Sequence, residues 1–154
     1  MTSELTDLYQ EVVLDHGKRP RNFGPLEGAT HDAEGLNPLC GDHLFVHARV
    51  EDGVVREARF EGDGCAISKA SASVMTGVVK GRSAAEIEAL YARFHALVTE
   101  GPAAAGDLVT LGKLAVFGGV HDYPTRVKCA SLAWHTLRAA LGAREGADAP
   151  VTTE

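Results

Sequence analysis

A chain of 154 residues, 45% hydrophobic and 23% charged, has the size and make-up of one soluble globular domain. Such a chain buries roughly 68–70% of its unfolded surface, enough for a core without disulfide staples. The formal net charge of -6, from 21 acids against 15 lysines and arginines, argues against a nucleic-acid surface, and no run nears the ~18 apolar residues that span a membrane. The opening MTSELTDLYQ is acidic and mixed, unlike a secretory signal, and three cysteines cannot pair completely. A reduced, cytoplasmic setting is expected.

Residues 6–16, TDLYQEVVLDH, predict a helix capped by Thr6, with Leu8, Val12 and Asp15 spaced by three or four and Gly17 at its end. GKRPRNFGPLEG then reads as a loop rich in glycine and proline. Its Lys18, Arg19 and Arg21 are either a solvated connector or a docking surface for an acidic partner. At residues 36–42, LNPLCGD sets Cys40 among turn formers rather than apolar neighbours, with Asp42 two positions on.

Residues 42–50, DHLFVHARV, alternate Leu44, Val46, Ala48 and Val50 against Phe45, His47 and Arg49, the pattern of a half-buried strand. Asp52-Gly53 is a hairpin signal, and VVREARFEG returns as the second strand. The outer ends of an antiparallel hairpin are neighbours, so Cys40 and Cys65 are expected together.

AISKASASVMTGVVKGR follows as a helix with Ile67, Val74 and Val78 in a stripe, small residues that permit close packing, and Gly81 as its cap. Ser83 and Glu86 form a capping box for residues 83–100, whose buried face is Ile87, Leu90, Tyr91, Phe94, Leu97 and Val98. GPAAAGD reads as a flexible link, and residues 107–120 carry no assignable period. YPTRVKCASLAWHTLRAALG starts a helix at Pro124 and ends it at Gly142. Residues 1–142 thus form one domain, and residues 143–154 a disordered tail.

The thiols then occupy a strand-entry loop (Cys40), a glycine-flanked strand exit before a helix (Cys65) and the opening turns of a helix (Cys129). Helix N-termini favour anions, which predicts depressed pKa values for Cys65 and Cys129. With Asp42 they offer three sulfurs and one oxygen, a set suited to zinc or iron. Two other readings stay open. No CxxC pair is present, so the thiols could be three unrelated buried side chains. A cysteine nucleophile could also pair with a histidine, for which His43, His47 and His121 are the candidates. His135, six residues past Cys129, falls on another part of the helix face.

LDHGKRPRNFG, LNPLCGD, ARFEGDGCAISKASASVMTGVVKGR and TRVKCASLAW, in order across residues 6–141, resemble the U-type iron–sulfur cluster assembly proteins, the family of IscU and SufU. The resemblance implies an α+β fold with a small three-stranded antiparallel sheet packed against helices. It implies that Cys40, Asp42, Cys65 and Cys129 form the site. These residues would hold zinc at rest, and accept persulfide sulfur or bind iron for a transient [2Fe–2S] cluster. The implied partners are a PLP-dependent cysteine desulfurase and the apo iron–sulfur proteins that receive clusters.

Such a protein is a scaffold rather than an enzyme or, if catalytic, a sulfurtransferase acting with the desulfurase. Lys128 stands where IscU members carry a histidine, and VHDYPTRVK does not reproduce their chaperone-read LPPVK-like segment. The stretch from Ser83 to Val120 is also longer. All three features resemble the SufU branch. Cys40 is the expected sulfur acceptor because it sits on a loop, and Lys128 is expected to keep thiolates charged without binding metal. The alternatives are a structural zinc module that binds a partner and a small cysteine hydrolase.

Overall fold

The computed structural model describes residues 3–142 and 151–152. The hairpin expected from alternation forms as β2 (Asp42–Glu51) and β3 (Val54–Asp63). Asp52 and Gly53 join them at φ 54° and 75°, the two left-handed residues that match the twist of paired strands. Leu44, Val46 and Ala48 are buried, while Phe45 on the opposite face is exposed.

A strand that alternation does not predict precedes them. β1 (His31–Asn37) pairs antiparallel with β2, from His31 opposite Ala48 to Asn37 opposite Asp42. Its sequence, HDAEGLN, is poor in strand formers, and pairing along β2 is what extends it. The α+β class with three antiparallel strands is what the chain adopts. Added to them is β4 (Val151–Thr152), parallel to β1 at Gly35 and Leu36. Those two residues are paired where a disordered tail was expected, and the rest of residues 143–154 lies outside the described residues. The outer edge of β3 is covered at both ends. Gly24 and Asn22 bond Phe60 (2.9 and 3.0 Å), and Gly81 and Arg82 bond Val55 (2.7 and 2.9 Å).

One face of the sheet carries α2 (Ala66–Val78) and α5 (Pro124–Gly142); α1 (Ser3–Lys18) packs on α2, and α3 (Ala84–Glu100) on α5. Helix α1 passes both of its expected ends, with Thr6 inside it and Gly17 not stopping it. A Cβ at Gly17 would meet the Ala66 carbonyl oxygen at 3.0 Å, so this glycine serves the packing of α1 on α2. The basic segment that follows is tacked to α2. His16 Nδ1 lies 2.7 Å from Ser73 Oγ, the Arg21 N–H donates to that same oxygen, and Asn22 Nδ2 donates to Thr76 Oγ1.

Helix α2 is buried on most sides through Ala70, Ser71, Ala72, Ser73, Val74 and Met75, a broader face than the expected stripe, and its cap is Val79 rather than Gly81. Helix α3 has the expected capping box and the expected six buried residues. The supposed flexible link is partly held, since Pro102–Ala104 makes a 3-10 turn and Ala105 is buried. Beyond it, α4 (Leu108–Leu111) leads into a 3-10 run, Gly112–Asp122, that buries Leu114, Phe117 and Val120. Phe94 stacks on Trp134 with ring centres 5.2 Å apart, and Phe117 meets Phe94 edge-on at 5.7 Å. Among the described residues no helix is long and apolar enough to cross a membrane.

The approach of α5 to β1 depends on Gly35. A Cβ there would stand 2.0 Å from Thr136 Oγ1 and 3.0 Å from Leu132 Cδ1. Only a bare backbone lets α5, and Cys129 with it, lie this close to the sheet. Overpacking of this kind costs about 1–3 kcal/mol. Gly35→Ala is therefore expected to lower the unfolding free energy by about 2 kcal/mol, read as a lower urea midpoint. Adding Thr136→Ala should recover most of the loss. A single variant with the wild-type midpoint would remove Gly35 from this role.

Candidate metal centre

The four residues singled out in the sequence lie where four elements end. Cys40 occupies the turn 38–41 between β1 and β2. The Cys40 and Gly41 N–H groups both donate to the Asn37 carbonyl (3.2 and 2.9 Å), and Gly41 closes the turn at φ 72°. Asp42 opens β2 with the parity of Leu44 and Val46, so its side chain falls on the core face and is 1% exposed. A carboxylate in that position needs partners. Its Oδ1 accepts from the Cys65 N–H (2.8 Å) and its Oδ2 from Asn37 Nδ2 (3.2 Å).

Cys65 follows the end of β3 and is the N-cap of α2, its Sγ accepting from the Ser68 N–H (3.4 Å). Gly64 beside it leaves room for Asp42, because a Cβ there would come within 2.7 Å of Asp42 Oδ1. Cys129, in the second turn of α5, is fully buried; its Sγ lies 3.4 Å from Cys40 Sγ and 3.6 Å from Asn37 Nδ2. Donor atoms of Cys40, Asp42 and Cys129 stand within 4.8 Å of one another. Ligands ~2.3 Å from a tetrahedral zinc ion are ~3.7 Å apart, so the spacing suits one coordination shell. Cys65 lies outside this triplet and adjoins it through its N–H, which bonds Asp42 Oδ1. The hairpin thus brings Cys65 to Asp42, and α5 brings Cys129 to Cys40. Soft sulfurs, one hard oxygen and a cradle kept open by Gly64 together fit a zinc or iron ion.

The thiols are electrostatically unequal. The Cys129 thiol hydrogen-bonds to Cys65 and outweighs partial burial, so Cys65 is pulled down to about 6, with the Ser68 N–H adding to the effect. Cys129 moves the opposite way. Its hydrogen is engaged by Cys65 and it is desolvated, which pushes it well above the ordinary thiol range. The depression expected for Cys129 at a helix start does not occur, because it lies a full turn inside α5 and is completely buried.

The cation beside the sulfurs is Arg126. It interacts with Cys129 and feels the charge of Cys65 and Cys40, which raises its own pKa. Among the described residues no hydrogen bond or ion pair joins Lys128 to the thiols. The histidines are engaged elsewhere: His43 with Glu34, His47 with Asp32 and Glu61, and His121 with the Gly118 carbonyl. Arg19 and Arg21 both pair with Asp15, which partly neutralises the basic segment, and the Arg21 guanidinium holds the Asp15 carboxyl below the usual range.

Two residues at the centre escape a reading of the sequence. Arg126 carried a usable signal, since position i−3 from Cys129 shares its helix face. Asn37 carried none, because its place opposite Asp42 depends on β1. In chelator-treated protein, alkylation of Cys65 by iodoacetamide is expected to rise with a midpoint near pH 6, with Cys129 unreactive at neutral pH. Peptide mass mapping reads both. A Cys65 midpoint at the ordinary thiol value of about 8.5 would contradict the assigned polarity of the pair.

Residues 8–142 match the family model described as the NifU-like N terminal domain. The chain is 35% identical over 144 residues to the zinc-dependent sulfurtransferase SufU of Bacillus subtilis, covering 94% of this chain and 96% of that protein. It is 39% identical over 137 residues to the iron–sulfur cluster assembly scaffold protein IscU of Thermotoga maritima, covering 87% and 92%. Among solved structures, the N-terminal part of a nitrogen-fixing NifU-like protein from Brucella abortus aligns with TM-score 0.76 and 28% identity, over 91% of this chain and 96% of that one. With the four residues singled out in the sequence inside the matched span and the architecture shared along nearly the whole chain, the protein belongs to the family of the NifU-like N-terminal domain, within the U-type group of SufU and IscU.

Proposed function

We propose that the protein serves iron–sulfur cluster biogenesis as a zinc-dependent acceptor of persulfide sulfur from a PLP-dependent cysteine desulfurase. Cys40, Asp42, Cys65 and Cys129 are its site. The observation that carries this reading is the approach of an exposed thiol, Cys40, and a buried one, Cys129, to the buried Asp42 carboxylate, which the half-buried Cys65 meets through its backbone N–H. The names of the relatives support it, one being a zinc-dependent sulfurtransferase and another a cluster assembly scaffold. Zinc, when bound, supplies the charge that keeps the sulfurs deprotonated and shielded from oxidation.

Cys40 is the thiol that a partner protein can reach, because it stands exposed on its turn. Its thiolate attacks the outer sulfur of the donor's persulfide. A new S–S bond forms on Cys40, the donor's S–S bond breaks, and the donor sulfur leaves as a thiolate. Arg126 provides positive charge where the attacking and acquired sulfurs are anionic. Lys18 and the exposed Arg19 are the basic groups available to an acidic partner surface. The sulfur then passes toward clusters for apo iron–sulfur proteins.

The scaffold relatives favour a second use of the same residues, as ligands of a [2Fe–2S] cluster carried as cargo. A cysteine hydrolase finds less support, since no described histidine is hydrogen-bonded to a cysteine. An inert zinc module gives no reason for the exposed Cys40.

The purified protein is expected to carry stoichiometric zinc and to raise desulfurase turnover. Cys40→Ser should return that turnover to its background while retaining part of the zinc. Asp42→Ala should weaken zinc binding about tenfold or more yet leave the thiols able to take metal. Mass spectrometry after turnover locates the persulfide. Full stimulation by Cys40→Ser, with the persulfide only on Cys129, would overturn the assignment, and visible charge-transfer absorbance after reconstitution with iron and sulfide would favour the scaffold use.

A further inference from the structure

Asn37 is hydrogen-bonded to three of the four proposed site residues. It ends β1 directly opposite Asp42 and is fully buried. Its carbonyl accepts the N–H groups of Cys40 and Gly41, which fixes the turn that displays Cys40. Its side-chain amide donates to Asp42 Oδ2 at 3.2 Å and to Cys129 Sγ at 3.6 Å. Three of the four site residues therefore meet one asparagine. The fourth, Cys65, meets the other oxygen of the same carboxylate through its N–H.

A residue present only for packing would have its polar atoms paired or would be apolar. Asn37 instead leaves its Oδ1 buried and without a hydrogen-bond partner. Such an orphaned oxygen is costly, and it persists here beside an NH₂ group whose two hydrogens both point at proposed ligands. The chemistry of the amide suits that task. It has two donors and no charge, so it engages a carboxylate and a sulfur together without repelling a cation or replacing it. An aspartate would add a negative charge facing Asp42, and a lysine would compete with the metal.

We propose that Asn37 is the positioning residue of the centre, holding Asp42 and Cys129 with one side-chain amide and so setting how readily the carboxylate arm lets go of a bound metal. This rests on the reading of the four residues as a metal site. With Oδ1 held by the Cys65 N–H and Oδ2 by Asn37, the carboxylate is held in one orientation, and loss of the Asn37 donor frees it to turn away from a bound ion. The N–H donated to Cys129 orients that sulfur in the same way and lowers the energy of its lone pairs.

The test uses full-length protein loaded with zinc or with cobalt, and needs no partner. Asn37→Ala and Asn37→Leu remove both donors, the second at similar volume, and Asn37→Ser keeps one hydroxyl donor. Ligand-orienting partners are worth about 10–100-fold in metal affinity. Zinc transfer to a chromophoric chelator is expected to be about 10–100-fold faster in the alanine and leucine variants, and intermediate in the serine variant. The sulfur-to-cobalt absorption should move to longer wavelength, because a thiolate relieved of its hydrogen bond is more easily oxidised. A purely structural asparagine would not shift that band in a variant that still folds and still binds cobalt. Wild-type release rates and spectra in all three variants would overturn the proposal. So would loss of the fold in all three, which would make Asn37 a structural residue. Wild-type protein that takes up neither metal overturns the metal-site reading itself, an outcome distinct from variants that merely match a metal-binding wild type.

Discussion

The carboxylate of Asp42 is the constraint on which the cysteine end of the protein depends. A charged group cannot remain in a dry interior without hydrogen bonds, and the two it accepts come from different parts of the chain. One fixes the first turn of α2 to the start of β2, and the other fixes the end of β1. Helix α5 joins through Cys129, which meets both Asn37 and Cys40. The end of β1, the start of β2 and the first turn of α2 are thereby tied to one acidic side chain, and α5 is tied to its neighbours Asn37 and Cys40. The strand alternation that buries Leu44 and Val46 also buries Asp42, so the core-forming pattern of β2 and the placement of the polar centre are the same fact.

The three thiols divide the tasks of a reactive site by position alone. Cys40 is carried on a turn and faces outward, Cys65 caps a helix with its sulfur among N–H groups, and Cys129 is enclosed by α5 and the sheet. The last two are shifted in opposite directions, Cys65 down and Cys129 up, which makes Cys65 the readier anion. Identical side chains thus acquire different chemistry from burial and hydrogen bonding. Arg126, three residues before Cys129 on an exposed stretch of α5, adds positive charge whose effect is strongest toward Cys129.

Elements governed by local rules were legible in the sequence. The β2–β3 hairpin follows from alternation and Asp52-Gly53, α3 from its capping box and six apolar positions, and α5 from Pro124. β1 was not, because HDAEGLN becomes a strand only by pairing with β2. Nor was Gly112–Asp122, whose 3-10 winding lacks the period of 3.6 that marks a helix. The site divides similarly. The hairpin accounts for Cys65 meeting Asp42, whereas Cys129, beside Cys40 and Asp42, was placed there by motif resemblance. Asn37 reads as an ordinary turn former before Pro38, and Arg126 as a solvated charge. Their roles arise from what faces them across the fold.

The covered outer edge of β3 decides how other chains can approach. With Phe60 and Val55 already bonded to the protein's own loops, the length of free backbone between them is too short to template a neighbour's strand. Copies of the chain meeting there find no continuous ladder to extend. Contact is directed instead to the end of the molecule where turns and helix starts present side chains, and selectivity there is a matter of shape and charge rather than of main-chain pairing.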